Sequence, residues 1–124
     1  MVFTVTDRAK VPSIDDLPID VELVEDSTDS TLTMKLATST REEIESKTPI
    51  LIGHLELFLR EELGADEDSQ VRDMFSRAYK LLDLKDRPTR ETTAFSVFLF
   101  NRDVALLTRQ LLWIYRQRRE DGDA

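Results

Sequence analysis

The hydrophobic period of the chain changes once, near residue 38, and this change is the strongest constraint on its fold. Before residue 38, apolar residues alternate with polar ones, which is the period of a half-buried β-strand. Beyond it they recur every three or four residues, which is the period of an amphipathic helix. The sequence therefore predicts an α+β fold in which the β-structure comes first along the chain.

Two features of the first part indicate β-strands. Residues 2–6 are β-branched or aromatic at most positions and predict a short N-terminal strand. Residues 19–25 and 31–36 both alternate between apolar and polar side chains, and the five residues 26–30 between them are all polar. Two alternating runs joined by a short polar segment are typical of a β-hairpin with one packed face and one wet face.

The first helix is predicted from its start signals. Residues 40–43 fit a capping box, in which a hydroxyl and a carboxylate satisfy free backbone N–H groups. Thr48 followed by Pro49 offers a second start, because proline is well tolerated at the first helical position. We expect this helix over residues 49–63, with Gly64 as its C-terminal stop.

Two further helices follow. The second has an apolar stripe with helical spacing, formed by Val71, Met74, Phe75, Ala78, Leu81 and Leu82. Residues 85–88 break the pattern, and the chain then becomes strongly apolar and helical to about Arg119. Residues 101–103 either interrupt this last helix or lie on its wet side.

The predicted architecture is an α+β domain with an N-terminal strand and a β-hairpin, followed by a three- to four-helix antiparallel bundle. A length of 124 residues fits a single domain over residues 1–124. Within it we expect a β-rich part over residues 1–38, a helical part over 39–119 and a frayed tail over 120–124. No segment carries a motif specific to a known family.

Composition excludes several classes of protein. The chain has no cysteine, so disulfide frameworks, thiolate nucleophiles and cysteine-based metal sites are ruled out. It shows no signal-peptide pattern, and its apolar runs are far shorter than the roughly 20 residues that a membrane helix needs. A cytoplasmic protein that does not enter membranes is expected. The net charge of −8 disfavours non-specific binding to nucleic acid.

Catalysis is not expected. His54 is the only histidine, so a site with several histidines cannot form within one chain, and its position beside Leu51 and Phe58 indicates a packing residue. The many carboxylates fall in predicted loops or on wet faces, where solvation explains them. No glycine-rich phosphate loop is present. We therefore expect neither a cofactor nor a metal, and predict that the protein is not an enzyme.

The last helix is the most informative element. Its predicted core side consists of Val104, Ala105, Leu107, Leu111, Leu112, Ile114 and Tyr115. On the opposite side, apolar residues stand among arginines and glutamines, and tryptophan and arginine are enriched at binding hot spots. The predicted partner-binding residues are Arg102, Leu106, Arg109, Gln110, Trp113, Arg116 and Gln117. If the helix begins at residue 94, the side chains of Phe95, Phe98 and Leu99 fall on the same side.

The sequence leaves four readings of the protein's function open, three that concern the last helix and one that concerns the hairpin. A central helix covered by its own chain needs no partner. A protein-binding or assembly subunit, with homodimerisation as its simplest version, uses the surface for contact. A nucleic-acid-binding protein places the arginines on phosphates and stacks Trp113 on a base. Finally, the acidic face of the hairpin, with Asp20, Glu22 and Glu25, mimics a phosphate backbone. The second reading is the one we predict.

Overall fold

The computed structural model describes residues 19–123, and in that range the chain is built from four α-helices. They are α1 (Val21–Thr33), α2 (Arg41–Arg60), α3 (Ser69–Leu82) and α4 (Ala94–Asp123). Short 3-10 turns at Leu36–Thr38 and Leu84–Asp86 follow α1 and α3. None of the described residues forms a β-strand. The α+β prediction is therefore wrong, and the predicted strand over residues 2–6 lies outside the described residues.

The predicted hairpin is a helix. Residues 21–33, which include the supposed turn 26–30, form α1 without interruption. The helix is started by Asp20, whose Oδ1 accepts a hydrogen bond from the backbone N–H of Leu23 at 3.0 Å. The segment also contains Val24, which lies three residues after Val21 and so on the same side of a helix. The pattern therefore fits both structures.

Threonine hydroxyls explain how so polar a segment is buried as a helix. Thr28 donates to the carbonyl oxygen of Val24 at 2.8 Å, and Thr31 donates to that of Ser27 at 3.0 Å. Both threonines are buried. Because each hydroxyl is hydrogen-bonded to the preceding turn, the methyl group of the threonine can pack against the neighbouring helices.

The capping box predicted at the start of α2 is confirmed, but the second helix start is wrong. Thr40 accepts from the backbone N–H of Glu43, whose side chain accepts in return from the N–H of Thr40. The helix then continues through Pro49 and ends at Arg60, three residues earlier than predicted. Gly64, with a φ of 80°, lies in the turn that follows, where a residue without Cβ is favoured.

Helices α3 and α4 follow the sequence pattern closely. Asp68 caps α3, and the predicted apolar stripe lies towards the core, with Val71, Phe75 and Ala78 buried. Helix α4 is continuous through residues 101–103, where Asn101 is buried and the next two residues are exposed. An interruption at this segment is therefore wrong, and a position on the wet side is right for Arg102 and Asp103 but not for Asn101.

The predicted core side of α4 is confirmed, since six of its seven residues are buried and Ile114 is half-buried. Helix α4 contacts the other three helices, and its contact with α2 is the most extensive. In that contact the rings of Phe58 and Tyr115 meet edge to face with centroids 5.8 Å apart. The Tyr115 hydroxyl also accepts from the backbone N–H of Ile19 at 3.1 Å. Helix α4 is thus the centre of the fold, and one of its sides is left uncovered by the other described helices.

Candidate functional site

The uncovered side of α4 contains all seven residues predicted to bind a partner. We call it the outer face, and it consists of Arg102, Leu106, Arg109, Gln110, Trp113, Arg116 and Gln117. None of the seven is buried, and six are exposed, Arg109 being half-buried. Helices α1 and α3 flank this face, while α2 lies behind it.

Apolar side chains run along the outer face. Leu106 is 44% exposed and Trp113 is 63% exposed. Two residues nearer the start of the helix, Phe95 and Leu99, are exposed as well and continue the same line. Because these residues recur at nearly whole helical turns, they form one row, which we call the apolar row. An unbroken helix is predicted to place Phe95, Phe98 and Leu99 on this side, although none of them is among the predicted site residues. Phe98 is half-buried, whereas the other two are exposed.

The arginines of the outer face are held by α1, which the sequence analysis missed. Arg109 forms a salt bridge with Asp29 and also donates to the hydroxyl of Thr28 at 3.3 Å. Arg116 donates to Glu25 through Nη1 at 2.9 Å. Pairs this exposed contribute about 0–1 kcal/mol each to stability. Their clearer effect is to fix the guanidinium groups along one edge of the face and to neutralise part of their charge.

Arg102 differs from the other two arginines. It is exposed and belongs to none of the ion pairs found between described residues. It lies one helical turn before Leu106, within the line of the apolar row. The outer face therefore combines an apolar row with one cationic group that is not neutralised by a described residue.

The edge towards α3 contains two neighbouring grooves that share Gln110. One has a volume of about 450 Å³, and its lining includes Leu81 and Leu106. The other has a volume of about 380 Å³, and its lining includes Met74 and Trp113. Both are lined by apolar and polar side chains together, and interfaces usually combine an apolar core with a polar border.

His54 lies inside the protein, in contrast to the outer face. It is buried on α2, and its Nε2 atom has no hydrogen-bond partner among the described residues. Burial lowers the pKa of the imidazole below its ordinary value, and the carboxylate of Asp20 partly opposes this. The predicted role as a packing residue agrees with this position.

This burial predicts an acid-sensitive stability. Because the folded-state pKa of His54 is depressed, the unfolded chain binds a proton near pH 6.5 while the folded protein resists it. We expect the stabilisation to be complete above that pH and to be lost as the pH is lowered through it. Urea denaturation of wild type and His54→Phe on both sides of that pH measures the effect.

The variant is the control for other titrating groups. Carboxylates titrate mainly below about pH 5, which is below the range over which the two proteins are compared. The difference in unfolding free energy between wild type and His54→Phe should therefore change with pH between about 7.5 and 5.5. A constant difference over that range would contradict the prediction.

Within residues 19–119, no three or more histidine or acidic side chains are grouped so that they would hold a metal ion. Over the described helices, none has the length together with the apolar character needed to cross a membrane. No protein-family model, curated protein or solved structure matches the chain.

Proposed function

We propose that this protein is a non-catalytic binding or assembly subunit that contacts a protein partner through the outer face of α4. The observation that carries the proposal is the exposure of Trp113. An indole 63% exposed beside further exposed apolar side chains leaves a large apolar area in water, and covering such an area is favourable. The cytoplasmic location predicted from the sequence remains part of this proposal.

The surroundings of Trp113 support a protein partner. The indole lies between a groove towards α3 and a second groove towards α1, which is bordered by Glu25, Arg109 and Arg116. An aromatic anchor surrounded by polar groups that can exclude water is the usual arrangement of a binding hot spot. The salt bridges to α1 hold the arginines in place before any partner arrives, which lowers the entropy lost on binding.

Two other readings are less well supported by these contacts. A nucleic-acid backbone needs cationic groups free to meet phosphates, whereas Arg109 and Arg116 already hold carboxylates of α1. The mimic of a phosphate backbone required a β-hairpin, whereas residues 21–33 form α1. Of its carboxylates, Asp20 caps α1 and Glu25 pairs with an arginine.

An affinity experiment tests the proposal. Immobilised wild type, Trp113→Ala and Tyr79→Ala are incubated with extract from the native source and with purified protein of the same chain. We expect wild type and Tyr79→Ala to retain the partner equally. Retention by Trp113→Ala should fall at least about tenfold, as for a hot-spot residue.

Tyr79 is the matched control, because it is an aromatic residue on α3 that is 61% exposed and lines neither groove. Binding is then repeated with the purified partner while the emission of Trp113, the only tryptophan, is recorded. A shift to shorter wavelength is expected as the indole is covered. Equal retention by all three proteins would refute the proposal, as would the absence of any retained protein.

A further inference from the structure

Three of the four residues of the apolar row are placed symmetrically about Leu106. Leu99 lies seven residues before it and Trp113 lies seven residues after it. Seven residues make nearly two helical turns, about 10.5 Å, so the three side chains stand on the same side of α4 at equal spacing. All three are exposed. A row with this symmetry is complementary to a reversed copy of itself.

The reversed copy gives each of these three residues an apolar counterpart, while Phe95 comes level with Gln117. If a second α4 lies antiparallel with a two-fold axis at Leu106, the two Leu106 side chains meet. At the levels on either side, Leu99 of each copy meets Trp113 of the other. A two-fold interface uses the same patch on both subunits, as this arrangement does. The spacing of seven also matches the period at which packed helices keep one side in contact.

The charges of the outer face favour the antiparallel orientation. In a parallel pair, each of Arg102, Arg109 and Arg116 would stand beside its own counterpart, which gives three levels of like charge. In the antiparallel pair, Arg102 comes level with Gln110 of the second copy, because these residues lie four positions before and after Leu106. Like-charge contact is costly in such interfaces, so the parallel pair is disfavoured.

Helix α1 supplies the complementary charge at that level. Arg109, the neighbour of Gln110, is bound to Asp29, whose side chain is still 63% exposed. Arg102 of one copy therefore lies near a carboxylate of the other. The described part of α1 contains four acidic residues and no basic one, so the edge that receives Arg102 is acidic.

We propose that the partner of the outer face is a second copy of this chain, bound through an antiparallel α4–α4 contact centred on Leu106. This inference rests on the proposed function, since it names the partner for the same surface. In the dimer, Trp113 is covered by Leu99 of the second copy, and Arg102 joins the Arg109–Asp29 ion pair across the interface.

Single cysteines test the orientation cleanly, because the chain has none of its own. Under mild oxidation we expect Leu106→Cys to form a disulfide-linked dimer, since the two positions face each other across the axis. Leu99→Cys alone, which keeps both indoles, should stay unlinked, whereas a mixture of Leu99→Cys and Trp113→Cys should give the linked heterodimer. A parallel contact would instead link Leu99→Cys to itself and would overturn the proposal.

Light scattering tests the dimer without oxidation. Wild type should have twice the chain mass of 14.4 kDa, and Leu106→Glu should have the mass of one chain, because the variant places two carboxylates together on the axis. Leu84→Glu is the control, since Leu84 is the most exposed of the large apolar residues and lies outside the outer face. It should remain dimeric, and circular dichroism of both variants verifies that they fold.

The outcomes separate this inference from the proposed function. A wild type that remains monomeric at every concentration tested overturns the dimer, and equal dissociation by Leu106→Glu and Leu84→Glu does so too. If the monomer still retains a different protein in a Trp113-dependent way, the proposed function stands with another partner. If Trp113→Ala and Tyr79→Ala behave alike, the proposed function fails as well.

Discussion

Replacing Leu111 with alanine is expected to lower the free energy of unfolding by about 2–5 kcal/mol. Leu111 has no exposed surface and lies on the side of α4 that packs in the core shared by the helices. The loss combines the transfer free energy of the removed methyl groups with the cost of the cavity that they leave. Since a domain of this size is stable by only about 5–15 kcal/mol, the variant should lose a substantial part of its stability.

Urea denaturation followed by circular dichroism measures this loss. Leu84→Ala is the control, since that leucine is 78% exposed, and we expect it to stay within about 0.5 kcal/mol of wild type. All proteins are compared at one concentration, because association makes stability depend on concentration. Equal losses in Leu111→Ala and Leu84→Ala would mean that the described packing of α4 is incorrect.

The second large effect is expected for Asn101→Asp, at about 3–5 kcal/mol. Asn101 is 2% exposed, and its amide bridges two positions of α2. Its Nδ2 donates to the carbonyl oxygen of Ile44 at 2.8 Å, and its Oδ1 accepts from the hydroxyl of Thr48 at 2.8 Å. Aspartate has nearly the same shape, but it removes the donor and buries a negative charge against a carbonyl oxygen.

Two comparisons make this prediction specific. The buried carboxylate of the variant resists ionisation, so its deficit in unfolding free energy should shrink as the pH falls towards the ordinary aspartate pKa of about 3.9. Gln70→Glu makes the same amide-to-carboxylate change at an exposed position and should stay within about 0.5 kcal/mol of wild type. A small, pH-independent loss in Asn101→Asp would show that the amide does not bridge the helices.

The sequence predicts three of the four helices because their signals are local. The capping box at Thr40 and the caps and stripes of α3 and α4 depend on residues a few positions apart. The exact start and end of α2 are less well predicted. Pro49 resembles a helix start, although the helix passes through it and Asn101 bonds to Ile44 and Thr48 just before it.

Helix α1 could not be predicted in the same way, because its residues fit two periods. Counting Thr28 and Thr31 as polar favours a hairpin, although in the folded protein their hydroxyls bond to the preceding turn and both are buried. The choice between the two structures is made by packing against distant residues, since Val24 of α1 lies in the same core cluster as Leu111 and Tyr115 of α4. Tertiary contacts of this kind override local strand preference.

The candidate site is predictable in its position and not in its electrostatics. Helical spacing alone places Leu106 and Trp113 on the side of α4 opposite the core, and both are exposed in the fold. The pairing of Arg109 and Arg116 requires α1 to be a helix, so the hairpin prediction concealed it. The binding role of this surface remains a proposal, which the affinity and cross-linking experiments test.

The bridge made by Asn101 has a consequence for how the chain acquires its structure. Proline has no N–H, so the carbonyl of Glu45, four residues before Pro49, lacks its usual donor within α2. The adjoining part of α2 is instead held by a residue 57 positions further along the chain. Helix α1 likewise packs against α4, whose contacting arginines lie 80 or more positions further along the chain. During synthesis, the first half of the protein therefore emerges before the residues that secure it, and native structure there must wait until the last quarter of the chain leaves the ribosome.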